Sequence, residues 1–148
     1  MRVSARTEYA VLALMELARR EGDQPLQSKD IAARANVPKP FLDQLLLDLR
    51  RAGLVRSVRG PGGGYVLARP ASEILLREAV AAVECGSLNT HCGIKSPDGS
   101  PCRRLQVCAL LEVWKRVDEA VDGILGHTTL ASLTERQRKL DGQEMYYI

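Results

Sequence analysis

The stretch that most limits how this chain folds is residues 54–67, LVRSVRGPGGGYVL. Leu54 to Arg59 alternates apolar and polar residues as a half-buried strand does, and Tyr65-Val66-Leu67 returns as a second strand. GPGGG between them is a glycine-rich turn, so the segment reads as a β-hairpin. The same glycines lack the Gly-Lys-Ser/Thr ending of a P-loop and join two strands, not a strand to a helix, which argues against nucleotide binding.

What precedes the hairpin gives it a context. Ser28 can cap a short helix with Asp30 in its first turn and Ile31, Ala32 and Ala35 inward, stopped near Asn36. Pro38 and Pro40 suit the first turn of the next helix, where backbone N–H groups lack intrahelical partners anyway. Leu42, Leu45, Leu46 and Leu49 form its buried stripe up to Gly53. Two short helices joined by a tight turn form a helix-turn-helix. With the hairpin behind it, the unit is a winged helix. An earlier helix, capped by Ser4 and running through Arg20, carries an apolar face that includes Tyr9, Leu12, Ala13 and Leu17.

Charge adds a direction. Residues 1–70 hold twelve Lys and Arg against seven Asp and Glu (+5), and residues 71–148 hold nine against eleven (−2). The basic half is the half to test for a polyanionic partner. On the third helix Lys39, Asp43, Gln44, Arg50 and Arg51 form the polar side, either a solvated face or one that meets a DNA groove. Arg56 and Arg59 flank a wing tip whose Gly62 and Gly63 permit close passage along a phosphate backbone, and Arg59 could enter a minor groove.

All four cysteines, Cys85, Cys92, Cys102 and Cys108, fall in a segment broken by Gly93, Pro97, Gly99 and Pro101 that cannot be one regular element. A chain of 148 residues buries a core without disulfide staples, so the thiols need another reason. Three remain open: an iron-sulfur cluster, a structural zinc on all four thiols, and a thiol/disulfide switch with Arg103 and Arg104 lowering the pKa of Cys102. Zinc sites favour close cysteine pairs, and no CxxC occurs. From Leu105 to Leu125, Leu110, Val113, Trp114, Val117, Val121, Ile124 and Leu125 recur at helical spacing, giving a helix about 30 Å long. Its stripe is expected to pack on a twin, since helix-turn-helix proteins usually dimerise. Thr128 or Thr129 caps a last helix to about Arg138, and a frayed tail follows.

The expected fold is mostly α with a small β-hairpin wing: a winged helix-turn-helix plus a long dimerisation helix. Residues 1–70 form the DNA-binding domain, 71–104 a connecting helix and the cysteine-rich loop, 105–138 the dimerisation helix and last short helix, and 139–148 a flexible tail. No run resembles a signal peptide or a membrane span, and the expectation is a cytoplasmic protein without a membrane partner. Two histidines, no nucleophile–base pairing and no nucleotide motif argue against an enzyme.

Four pieces in this order carry a family resemblance: MRVSARTEYAVLALMELA, PFLDQLLLDLRRAGLV, RSVRGPGGGYVLAR, and cysteines just before a long helix in CALLEVW. From Met1 to about Leu133 the chain resembles the iron-sulfur winged-helix transcriptional regulators typified by IscR, which include the nitric-oxide sensor NsrR and the iron regulator RirA. The resemblance implies a homodimer on double-stranded operator DNA, controlled by an iron-sulfur cluster of [2Fe-2S] or [4Fe-4S] type. It implies Cys92, Cys102 and Cys108 as cluster ligands. Leu111 stands where the type member carries a histidine, so a fourth ligand must come from elsewhere. Glu8 matches the first-helix carboxylate that other members use across the dimer. The base-reading positions match Pro38, Pro40, Asp43 and Gln44 on the third helix and Ser57 and Arg59 in the wing. Ser28, Lys39, Arg50, Arg56, Gly62 and Gly63 complete the expected DNA-facing set. The alternative is a regulator of the same fold using a thiol/disulfide switch or a structural zinc.

Overall fold

The computed structural model describes residues 3–20, 24–84 and 108–144. Its elements in order are α1 (Ala5–Ala18), α2 (Ser28–Ala35), α3 (Lys39–Arg51), β1 (Val55–Val58), β2 (Gly64–Leu67), a 3-10 turn (Ala71–Glu73), α4 (Leu76–Val83), α5 (Ala109–His127) and α6 (Leu130–Glu144).

The core lies where α1, α2 and α3 meet under the hairpin. Leu42, Leu45, Leu46 and Leu49 are fully enclosed, as the spacing of i, i+3, i+4 and i+7 on one helix face demands. Each such burial contributes about 1.5–3 kcal/mol relative to exposure. Leu14, Leu26, Ile31, Leu54 and Ile74 close the same cluster. Asn36, in the left-handed region at φ 52°, ends α2 and turns the chain into α3.

The two strands pair antiparallel, with Val55 opposite Leu67 and Val58 opposite Gly64. Leu26 adds a bridge to the outer edge: its N–H donates to the Tyr65 carbonyl at 3.0 Å, and its carbonyl accepts the Tyr65 N–H at 2.9 Å. Glycine is required at the hairpin for space. A Cβ on Gly63 would run into the Val58 carbonyl, and one on Gly64 into the Leu26 carbonyl. The hairpin and helix-turn-helix thus form the expected winged helix.

Several boundaries differ from the sequence reading. Helix α1 stops at Ala18 and not at Arg20. Gln27 is the cap of α2, with Ser28 already helical, because the Ser28 hydroxyl is drawn toward Asp43 on α3. The long helix begins at Ala109, with Cys108 as its cap residue. Helix α6 continues to Glu144, where a frayed end was expected after Arg138. Pairs at i, i+4, Glu135 with Lys139 at 2.7 Å and Gln137 with Asp141 at 2.7 Å, extend it. Asp141 is also held by Arg19, the residue that caps the end of α1, at 2.6 Å, and Arg138 donates to the Arg19 carbonyl at 3.0 Å. Among the described residues, no helix is long and apolar enough to cross a membrane.

Candidate nucleic-acid interface

The outward face of α3 carries Lys39, Pro40, Asp43, Gln44 and Arg50, all exposed, with Pro38 exposed at the cap. These six sequence-derived positions are brought together at one end and along one side of a single helix. Lys39 holds the Asp43 carboxylate at 2.8 Å. That hydrogen bond, helped by one from Ser28, keeps the Asp43 acid below the usual carboxylate range. Asp43 is therefore an oriented acceptor at neutral pH. Phe41, largely exposed beside them, is braced edge-on by Tyr9 with ring centroids 5.7 Å apart.

The wing splits its candidates. Adjacent strand residues point to opposite faces, so Arg56 and Ser57 take different faces of β1, and Arg59 follows the strand, exposed. Arg56 lines a cavity of about 410 Å³ together with Leu17, Arg20, Val66, Arg69 and Pro70. Gly62 is open at the tip, and Gly63 is tucked against the strand.

Of the cysteine candidates, Cys85, Cys92 and Cys102 lie outside the described residues. Cys108 is a free thiol, half-buried at the start of α5. Glu8 is exposed on α1 and lines an apolar groove of about 540 Å³ between α1, α4 and α5, with Val11, Leu12, Val80, Glu84 and Ile124 among its neighbours. No hydrogen bond or ion pair engages its carboxylate among the described residues. A thiol and an unengaged carboxylate, both reachable from solvent, are chemically suited to iron in a cluster. Among the described residues no group of three His, Cys, Asp or Glu is preassembled for a metal ion.

One constellation has no signature in the sequence. The Glu84 carboxylate, at the end of α4, accepts from the Ser4 hydroxyl at 2.6 Å and from the Thr7 hydroxyl. These two hydrogen bonds, Ser4 first, and then the charge of Arg6 lower the Glu84 pKa. Arg6 donates Nε to the Val83 carbonyl at 2.8 Å and Nη2 to Asp48 Oδ2 on α3. Contacts spanning 42 to 80 residues leave no trace in periodicity. The only local hint is Asp48 interrupting the leucine face of α3.

A helix-turn-helix with a glycine-tipped wing, followed by a long helix with an apolar stripe, is the architecture of a DNA-binding transcriptional regulator. A family model for Rrf2, described as an iron-dependent transcriptional regulator, matches residues 3–136, and the chain belongs to that family. It is 36% identical over 141 residues to the HTH-type transcriptional regulator IscR of Klebsiella pneumoniae, covering 95% of this chain and 84% of that protein. Among solved structures, IscR of T. potens superposes with a TM-score of 0.75 at 32% identity, covering 93% of this chain and 88% of the other. CymR, the global cysteine regulator of B. subtilis, superposes with a TM-score of 0.74 at 32% identity, covering 92% and 98%.

Proposed function

We propose that this protein is a cytoplasmic, homodimeric regulator that binds double-stranded operator DNA and senses iron, redox state or nitric oxide through an iron-sulfur cluster. In this reading residues 1–70 read DNA, 71–104 hold the cluster, and 105–138 join two copies. Cys92, Cys102 and Cys108 bind the cluster, and Glu8 of the partner subunit completes the set. A cluster supplies a centre that oxygen, nitric oxide or iron scarcity dismantles most readily at its weakest ligand. Toward DNA, Asp43 and Gln44 offer an acceptor and an amide to base edges, Ser57 and Arg59 approach from the wing, and Lys39 and Arg50 contact phosphates.

The observation that carries the sensing role is Glu8: an exposed, unengaged carboxylate at the groove between α1, α4 and α5, which is apolar apart from Thr7 and Glu84. The dimer is supported by α5 itself, 19 residues long with none buried, and with Leu110, Val113, Trp114 and Ile124 exposed by 48%, 53%, 37% and 68%. An apolar stripe of that extent calls for a partner surface.

Anaerobic purification tests the reading. The expected product is coloured, holds iron and sulfide, loses its visible absorbance in Cys92→Ser, Cys102→Ser or Cys108→Ser, and bleaches faster in Glu8→Ala. A colourless protein with stoichiometric zinc overturns it. A second reading, a thiol switch, is favoured by the comparable superposition on CymR, the global cysteine regulator of B. subtilis, and on the oxidized form of Staphylococcus aureus CymR, with TM-scores of 0.74 and 0.71. That reading predicts a colourless protein whose DNA affinity changes between dithiothreitol and diamide.

A further inference from the structure

We propose that Arg6 and Glu84 are positioning residues that carry the state of the cysteine segment to the DNA-reading helix α3. The inference rests on the reading of that segment as the sensor. Val83 and Glu84 end α4 and directly precede Cys85 in the chain. Whatever moves the start of the cysteine segment therefore acts first on these two residues.

Their grip is on α1. Glu84 takes the hydroxyls of Ser4, the cap of α1, and of Thr7 one turn in, so a shift of Glu84 draws the first turn of α1 with it. Arg6, between them in sequence, faces the other way with its two donors divided. Nε binds the Val83 carbonyl at 2.8 Å, and Nη2 binds Asp48 of α3. A guanidinium is a rigid planar fork, so displacing the acceptor of one donor turns the direction of the other.

Asp48 is itself divided. Oδ2 receives Arg6, while Oδ1 lies 3.4 Å from Arg51 and 3.5 Å from the Gln44 amide. Gln44 is one of the side chains offered to base edges. The route thus runs from the end of α4, through the first turn of α1, to a DNA-facing residue of α3. With side chains 33% exposed for Arg6 and 14% for Asp48, the central pair is shielded enough to matter more than a surface ion pair. Glu8 stands two residues beyond Arg6 on the same turn of α1, so a ligand acting on that carboxylate bears on the same helix end.

The experiment compares DNA affinity of full-length dimer reconstituted with iron and sulfide against the same protein stripped with EDTA and ferricyanide. The probe is a duplex selected by the wild type from a random pool. Wild type is expected to show a ratio of about fivefold or more between the two forms, in the range usual for coupled sites. In Arg6→Lys, which keeps the charge but loses the fork, and in Glu84→Gln, which keeps the shape, the ratio is expected to fall within about twofold of one while the iron content stays at the wild-type level. Full retention of the ratio in both variants overturns the relay and leaves the sensor reading standing. A wild-type ratio of one overturns both. Amide hydrogen exchange separates positioning from loss of structure. On reconstitution, wild type is expected to change protection in both α4 and α3, whereas the variants change it in α4 alone. A variant in which α3 still responds also sinks the relay.

Discussion

At the scale of single residues, Arg59 and Glu84 make separable predictions. Arg59 directly follows β1, exposed, with a tip of glycines beyond it. Arg59→Ala is expected to weaken binding to the selected duplex by about 1–3 kcal/mol and to relax sequence preference, as for an arginine at a base edge or in a narrow groove. Binding titrations over a salt series on selected and random duplexes check this. An equal loss on both would make Arg59 a phosphate contact. Glu84 predicts a pH effect. Its folded pKa lies below the ordinary 4.5 because Ser4 and then Thr7 donate to the ionised form. The added stability is therefore fully present above pH 4.5 and is lost as pH falls through the lower folded value. Urea midpoints of wild type and Glu84→Gln should differ above pH 5 and converge as the pH is lowered below 4.5. A constant difference down to pH 3 would mean that the carboxylate charge plays no part.

At the scale of elements, the wing is held to the domain by a close approach of backbones. Gly64→Ala forces a methyl group into the Leu26 carbonyl, which itself pairs with Tyr65, so the strand must shift or the bridge must break. The expected cost is about 1–3 kcal/mol in urea unfolding, with weaker DNA binding because Arg59 loses its support. Gly62→Ala, where a Cβ meets nothing within 4 Å, is the matched control and should be near neutral in stability. The contrast shows what sequence makes legible. The GPGGG turn and the Leu42–Leu45–Leu46–Leu49 stripe follow from local periodicity and turn chemistry, and both stand where they were expected. Which glycine meets Leu26 depends on a contact nearly forty residues away in the chain. The same applies to Ser28, whose hydroxyl serves Asp43 on another helix and not its own N-terminus, and to α6, whose last turns are fixed by Arg19 just after α1. On the candidate site, periodicity placed Asp43 and Gln44 correctly on an exposed helix face. Arg6 has no local signal at all, and Asp48 only its place within the leucine run of α3.

At the scale of the whole molecule, α5 sets the terms. It is about 28 Å long, touches its own domain mainly through α4, and leaves Ile124 and Leu110 exposed near its two ends. Across the groove from Ile124 lie Leu12 of α1 and Val3 just before that helix, also exposed. A second copy covering this groove would bury both sets at once and bring its own α1 and Glu8 to the α5 of the first. Dimerisation and a complete ligand set would then be one event. Ile124→Glu tests this with little risk to the fold, since the side chain is already 68% exposed in one copy. Wild type should sediment at twice its 16.3 kDa chain mass, and the variant at the chain mass with an unchanged melting profile for the winged helix. On a duplex with two half-sites about one turn apart, the variant should bind about a hundredfold or more weakly, and on a single half-site no worse than wild type. It should also bleach as fast as Glu8→Ala, because the carboxylate no longer reaches the other copy. A monomeric variant with a wild-type bleaching rate would place Glu8 outside the ligand set, and a wild type that sediments as a monomer would leave the exposed stripe of α5 for a different protein to cover.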